Sequence, residues 1–268
     1  MGLEPMDRQH PGDPQQRRFE TDLLVFVEMD TSPMGTQNEV KRTLMPMRSD
    51  ERLAQRIATH ILPRYQVASV LDIGCGDGVV SHHLPRETDY LGLDINEACI
   101  YEQKHDNPKV RYVQANAIPV LMAEKGPWDM VLLFDVLEHT RDFTQLFELA
   151  LKSCNQYVIV SLPNELFFMD RARMLLGQEL NAHSLDLLGQ PEGFKHQYII
   201  NIAKARTVLS NKANNFGYQL REEVVRPLKP KNKLLAPLPK LLAKLTDEQL
   251  WSQGSIFIFQ NQSPKQFK

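Results

Sequence analysis

The sequence predicts an α/β fold with a doubly wound, mostly parallel seven-stranded sheet. Three observations carry this reading. The apolar run Val70-Leu71-Asp72-Ile73 breaks into Gly74-Cys75-Gly76-Asp77-Gly78, the pattern of a buried parallel strand turning sharply into a helix. Further apolar runs alternate with helical patterns as far as Val160, a rhythm that covers a parallel sheet on both faces. Two more runs, Tyr218 to Val225 and Ser255 to Gln260, finish the chain as strands.

Taken in order, residues 1–18 are polar and proline-bearing and read as a disordered tail. Residues 19–49 form an N-terminal cap segment. It holds the run Leu23-Leu24-Val25-Phe26-Val27 and then Pro33 and Gly35, and it fits neither strand nor helix cleanly. The main domain spans residues 50–262. Ser49 or Asp50 caps a helix with the apolar face Leu53, Ile57 and Ile61, backed by Ala54 and Ala58 and stopped by Pro63. The glycine turn leads into a short helix to about Leu84, ended by Pro85. Tyr90 to Asp94 is the second strand, and Val110 to Ala115 the third, ending at Asn116-Ala117. Trp128-Asp129 opens the fourth, Met130 to Phe134, and Asp135 follows it. Phe143, Leu146, Phe147 and Ala150 mark an amphipathic helix. Tyr157 to Val160 is the fifth strand, turning at Ser161-Leu162-Pro163-Asn164. Glu165 to Leu188 reads as mostly helical, within a substrate-side insertion over residues 165–198. Ile199 to Phe216 is a helix ended by Gly217. The chain has no internal repeat and no clear boundary for a second domain.

Composition narrows the function classes. Thirty-one Lys and Arg against 33 Asp and Glu give a formal net charge of −2, so no global electrostatic argument favours nucleic acid. No apolar run reaches the length of a membrane span, and the N-terminus lacks a secretory signal core. Cys75, Cys99 and Cys154 have no C-x-x-C spacing, so a reduced, cytoplasmic protein is expected. The segment from Arg226 to Lys244 interleaves lysines with leucines. Pro227, Pro230, Pro237 and Pro239 break any long helix there. The segment therefore reads as a packed connection or lid rather than a stable membrane anchor, the alternative being a surface for anionic lipid or a greasy substrate. The sequence carries no signal for oligomeric state.

The glycine turn at a strand end is a nucleotide-type site, where close backbone approach and helix amides meet a ligand. Asp94, about twenty residues on, stands where an acid holds ribose hydroxyls, or else caps the next helix. The spacing G-x-G-x-G preceded by Asp72 resembles motif I of the class I S-adenosylmethionine (SAM) methyltransferases, a resemblance that extends over residues 50–260. It implies a Rossmann-like SAM methyltransferase fold with the last strand antiparallel. It also implies cofactor contacts at Asp72, Gly74, Cys75, Gly76 and Gly78 near the methionine end, Asp94 and Ile95 at the ribose, Asn116 and Ala117 near the adenine, and Phe134 beside the methyl donor. Asn116 departs from the Asp of many members, although an amide still serves the adenine edge.

Two further segments narrow the group. Asp135-Val136-Leu137-Glu138-His139 resembles the D/E-x-x-E-H segment of ubiquinone-biosynthesis O-methyltransferases and small-RNA 2′-O-methyltransferases. Pro191-Glu192-Gly193-Phe194-Lys195-His196-Gln197-Tyr198 resembles the P-x-G-x-x-H-x-Y stretch of the ubiquinone enzymes. The resemblance implies that Asp135, Glu138, His139 and His196 gather at the methyl-transfer site and can hold a divalent cation. From the residues alone, positions 135, 138 and 139 share one face of a helical turn. Two carboxylates and two imidazoles suit Mg²⁺, Mn²⁺, Fe²⁺ or Zn²⁺, and such an ion lowers the pKa of an acceptor hydroxyl. His139 as a metal-free base is the competing mechanism, a structural Glu-His pair is the bland one, and His183 can stand in for His196. His82, His83 and His105 read as surface residues. The turn Ser161-Leu162-Pro163-Asn164 lacks the Asp/Asn-Pro-Pro-aromatic pattern of enzymes that methylate base amines. The resulting expectation is methyl transfer from SAM to a hydroxyl of a small-molecule acceptor. The alternatives are RNA 2′-O-methylation and a non-catalytic SAM-binding partner protein.

Overall fold

In a computed structural model the chain is described over residues 40–44, 53–96, 106–123, 127–190, 193–227, 246 and 248–264. The cap run Leu23–Val27, the capping residues Ser49 and Asp50, Cys99, His105, the pair Pro191-Glu192 and the Lys/Leu segment 228–245 lie outside the described residues. Eight strands form one sheet: β1 (Lys41–Leu44), β2 (Ser69–Ile73), β3 (Asp89–Asp94), β4 (Val110–Gln114), β5 (Trp128–Phe134), β6 (Cys154–Pro163), β7 (Tyr218–Pro227) and β8 (Ser252–Asn261). Their order is β1-β7-β8-β6-β5-β2-β3-β4. β8 runs antiparallel to both β6 and β7, and every other pairing is parallel. Seven strands are those the sequence predicts. The eighth is β1, from the segment the apolar pattern left unassigned, which lies parallel beside β7 with Lys41 opposite Glu222.

The helices cover both faces because strand side chains alternate. On one face Leu71, Ile73, Val131, Leu133, Val158, Val160, Phe257 and Phe259 pack against α3 (Phe143–Ser153) and α5 (Ile202–Asn215). Each of these helices turns a 3.6-period apolar stripe inward: Leu146, Phe147, Ala150 and Leu151 from α3, and Ile202, Ala205, Leu209 and Ala213 from α5. Residues one position over, Val70, Met130, Leu132, Ile159, Ile256 and Ile258, face the other way and meet α1 (Leu53–His60) through Ile57 and Ala58. Helix α5 opens with the Asn201 side chain accepting from the Lys204 N–H at 3.0 Å, an N-cap bond.

Two helical expectations are corrected. The stretch after the glycine turn forms turns and one 3₁₀ turn, Ser81–His83, rather than a helix. Gly78 at φ +63° and Pro85 leave too few residues between them to nucleate one. The insertion contains one helix, α4 (Phe168–Leu175), and two 3₁₀ turns, Asn181–His183 and Leu185–Leu187. Gly177 at φ +71° closes α4, and Ser184 bonds the Asp186 N–H locally instead of continuing a helix.

The antiparallel entry of β8 leaves little room at Gly254, where a Cβ would sit 2.4 Å from the Leu162 carbonyl oxygen. We expect Gly254→Val to prise β8 from β6 and to lower stability by about 1–3 kcal/mol, the cost of overpacking. Thermal and urea melts of both chains measure this, and an unchanged midpoint would contradict the close approach.

Candidate active site

Because β2, β3, β4, β5 and β6 are parallel, their carboxyl ends lie along one edge, and the expected site residues other than His196 lie at those ends. After β2, Gly74, Gly76 and Gly78 have φ of +71°, +53° and +63°, in the left-handed region that only glycine enters freely. The N–H groups of Gly74 and Cys75 both donate to the Leu93 carbonyl, at 2.7 and 3.1 Å, and the Gly76 N–H donates to Asp94 Oδ2 at 2.9 Å. A Cβ on Gly74 would fall 2.3 Å from Val136 Cγ2, whereas one on Gly76 would meet nothing within 4 Å. The turn is thus closed beneath Gly74 and open above Gly76. Asp72 lies under it, buried, accepting from Tyr90 Oη at 2.8 Å. Cys75 is a buried filler whose thiol donates to the Gly76 carbonyl at 3.9 Å.

Asp94 ends β3 with its carboxylate pinned by the Gly76 and Asn96 N–H groups. Ile95 is exposed beside Gly193 of the insertion. Asn116 Oδ1 accepts from the Ile118 N–H at 3.0 Å and so opens α2 (Ala117–Ala123), with Ala117 packed on the core. Phe134 is half-buried against the core on the α1 side.

Beyond β5 the expected helical face does not form. Asp135 has φ +51°, which turns it out of register with the 3₁₀ turn Leu137–His139 that follows. Its carboxylate accepts from Ser161 Oγ at 2.7 Å and from Arg226 Nη1 at 3.1 and 3.3 Å. Glu138, His139 and His196, by contrast, bring one ligand atom each within 4.8 Å of one another, and Glu165, His183 and His196 do the same. Glu138 is fully buried, and neither its carboxylate oxygens nor His139 Nδ1 has a hydrogen-bond partner. Burial first, and then the nearby Asp135 charge, push the Glu138 carboxyl well above the usual carboxylate range. Burial and the neighbouring His196 hold His139 below the ordinary imidazole value, against the opposing pull of the Lys195 backbone. The His139 and His196 rings meet edge to face at 4.5 Å.

Glu165, Ser161 and Arg226 are site residues that the sequence reading missed. Glu165 Oε1 accepts from His183 Nε2 at 2.9 Å and from His196 Nδ1 at 2.8 Å, and its Oε2 accepts from the Ile200 N–H at 2.9 Å. Burial raises the Glu165 carboxyl, but the His196 and Ile200 bonds outweigh it and leave the group below its ordinary value. An acid at the end of β6, level with the other strand ends, was the available signal. The insertion is laced to the site by Gln197 N–H donating to the Glu138 carbonyl at 2.7 Å and by Tyr198 Oη donating to the Arg141 carbonyl.

A family model described as a methyltransferase domain, of the type-23 group, matches residues 46–202. The chain belongs to this methyltransferase family. No curated protein matches it in a sequence search. Among solved structures, a SAM-dependent methyltransferase from Archaeoglobus fulgidus is similar with a TM-score of 0.52 and 18% identity, over 77% of this chain and 94% of that one. A Listeria monocytogenes protein assigned to the S-adenosylmethionine-dependent methyltransferases gives 0.52 and 17%, over 78% and 98%. At these identities the likeness speaks for the fold, which is that of the class I methyltransferases. The methyltransferase edge fits the family's cofactor: open space above Gly76 and a pinned Asp94 carboxylate make a cradle that a side chain on the turn would fill. The donor set also fits a divalent cation, since Glu138 and His139 present unpartnered, buried acceptor atoms.

Asp72 supplies a test of the turn's construction. Burial raises its carboxyl to about 7. In the unfolded chain it ionises near the ordinary carboxylate value, so the folded state holds the extra proton between the two values. Stability therefore falls as pH rises from about 4 to about 7. We expect Asp72→Asn, which still accepts from Tyr90, to flatten that decline. Urea melts of both chains across pH 4–8 measure it, and parallel pH curves would contradict the burial.

Proposed function

We propose that this methyltransferase transfers the SAM methyl group to a hydroxyl of a small-molecule acceptor. The observation that carries the reading is the His139 Nδ1 atom, buried and unpartnered beside Glu138 at the strand edge. With its pKa lowered, the ring is neutral at pH 7 and offers a lone pair.

In this reading Gly74 to Gly78 and Asp94 hold the methionine and ribose parts of SAM, and Phe134 lies beside the sulfonium. His139 takes the acceptor's proton as the oxygen attacks the methyl carbon, and S-adenosylhomocysteine leaves with the sulfur lone pair restored. His196 flanks that ring, and burial favours the protonated form of Glu138, which then donates to the acceptor oxygen. In the competing arrangement a divalent cation held by Glu138, His139 and His196 would orient the acceptor oxygen and lower its pKa, with His139 a ligand in place of the base. Neutral acceptors suit this edge, because Arg226, a cation beside it, is already paired with Asp135.

Calorimetry with SAM and a panel of phenols, quinols and sugars, read by S-adenosylhomocysteine release, tests the reading. Asp94→Ala should weaken SAM binding by about 1.5–3 kcal/mol, the scale of hydrogen bonds to a charged group. His139→Ala should leave SAM binding intact and slow transfer by about 10²–10⁴-fold. A wild-type chain that binds no SAM would overturn the methyltransferase reading, and a His139→Ala chain at full rate would overturn the base.

A further inference from the structure

We infer that Glu165 is a positioning residue that holds His196 and His183 so that a cation-binding set of Glu138, His139 and His196 is assembled without Asp135. The inference deepens the proposed function and rests on its reading of this edge as the reaction site. Three N–H donors converge on the Glu165 carboxylate: His183 Nε2 and His196 Nδ1 on Oε1, and the Ile200 backbone on Oε2. A carboxylate is acceptor-only, so both imidazole nitrogens that face it carry the protons. With Nδ1–H committed to Glu165, Nε2 is the His196 nitrogen left to act as a ligand.

A ring nitrogen donating to a carboxylate while the other is free to ligate is the arrangement that orients metal-binding histidines and raises their basicity. A second observation points independently to a ligand. Glu138 is completely buried, both its oxygens lack partners, and its donor atom lies within 4.8 Å of those of His139 and His196. One carboxylate and two imidazoles are a set suited to first-row transition ions, with open positions left for an acceptor oxygen. Asp135 stands outside this set because Arg226 and Ser161 occupy its carboxylate.

Glutamine cannot replace Glu165 in this role. It presents one acceptor oxygen to three donors and turns an NH₂ toward either the imidazoles or the Ile200 N–H. A purely structural Glu165, bolting the insertion to the end of β6, would lose stability in Glu165→Gln and nothing else.

The experiment titrates Co²⁺ alone into the full-length, metal-stripped chain, following the visible d–d bands, with SAM calorimetry and thermal melts alongside, below every melting temperature. We expect one Co²⁺ per chain, a 10–100-fold weaker affinity in Glu165→Gln, an affinity within about threefold of wild type in Asp135→Asn, and unchanged SAM binding in both. Equal Co²⁺ affinity in Glu165→Gln and wild type would overturn the inference. So would a loss in Asp135→Asn as large as that in Glu165→Gln, or a wild-type chain that binds SAM but no Co²⁺. Should Glu165→Gln fail to fold, imidazole ¹⁵N NMR of the metal-free wild type at pH 8 decides: His196 protonated at Nδ1 and His183 at Nε2 support the inference, and the opposite tautomer of His196 overturns it. The SAM titration reads the methyltransferase assignment separately, so failure of one is distinguishable from failure of the other.

Discussion

The parallel pairing of β2 with β3 and β5, and of β5 with β6, is the constraint on which the rest of the molecule depends. Parallel strands in register end at a common edge, so four segments far apart in sequence turn over beside one another. The glycine turn, Asp94, the Asp135–His139 segment and the Asn164-Glu165 turn are neighbours for that reason alone. The bond from Gly76 N–H to Asp94 Oδ2 at 2.9 Å shows how directly one strand end is stitched to the next. Antiparallel β8 serves the same edge from the opposite direction. Its close passage at Gly254 sets Leu162 and Arg226 in place, and Arg226 in turn engages Asp135.

The insertion is held differently from the sheet. Helix α4 buries none of its side chains, and Leu175 and Leu176 are exposed. What fastens this region is a set of polar links: Glu165 to His183, His196 and Ile200, Gln197 to the Glu138 carbonyl, and His196 N–H to the Ala182 carbonyl at 3.1 Å. Such links are directional, so they fix where the imidazoles point, while contributing less bulk stability than a buried apolar face. Regions secured in this way open more readily than the core. An acceptor entering over the glycine edge meets a region with little apolar anchoring.

Much of the architecture was legible because it depends on short-range pattern. Apolar runs, glycines, strand-end acids and the Glu138-His139 pair all stand out within a few residues of sequence. The residues that were not legible depend on partners brought together by the finished fold. Asp135 shares a helical face with Glu138 on paper, yet its left-handed backbone and its pairing with Arg226, 91 positions away, take it elsewhere. Asp tolerates that conformation better than most residues. Glu165 looks like any polar residue after a strand until His183 and His196 fold back onto it. Strand β1 escaped notice because an edge strand of four residues carries too short a run to show a period.

Charge explains why this edge is poised for chemistry rather than built for stability. Two acids, Asp135 and Glu138, flank one turn, and among the described residues a single guanidinium serves them, paired with Asp135. Glu165 is compensated by two imidazoles and a backbone amide. Glu138 has no such partner, although burying an unpaired carboxylate is among the costliest arrangements a fold can contain. Burial therefore favours the protonated carboxyl, whose pKa is raised, unless a cation matches the charge. Either state requires something the polypeptide itself does not supply at that point. A core built for stability would place an apolar side chain there, so the retained acid marks the position where an acceptor, a proton or an ion completes the site.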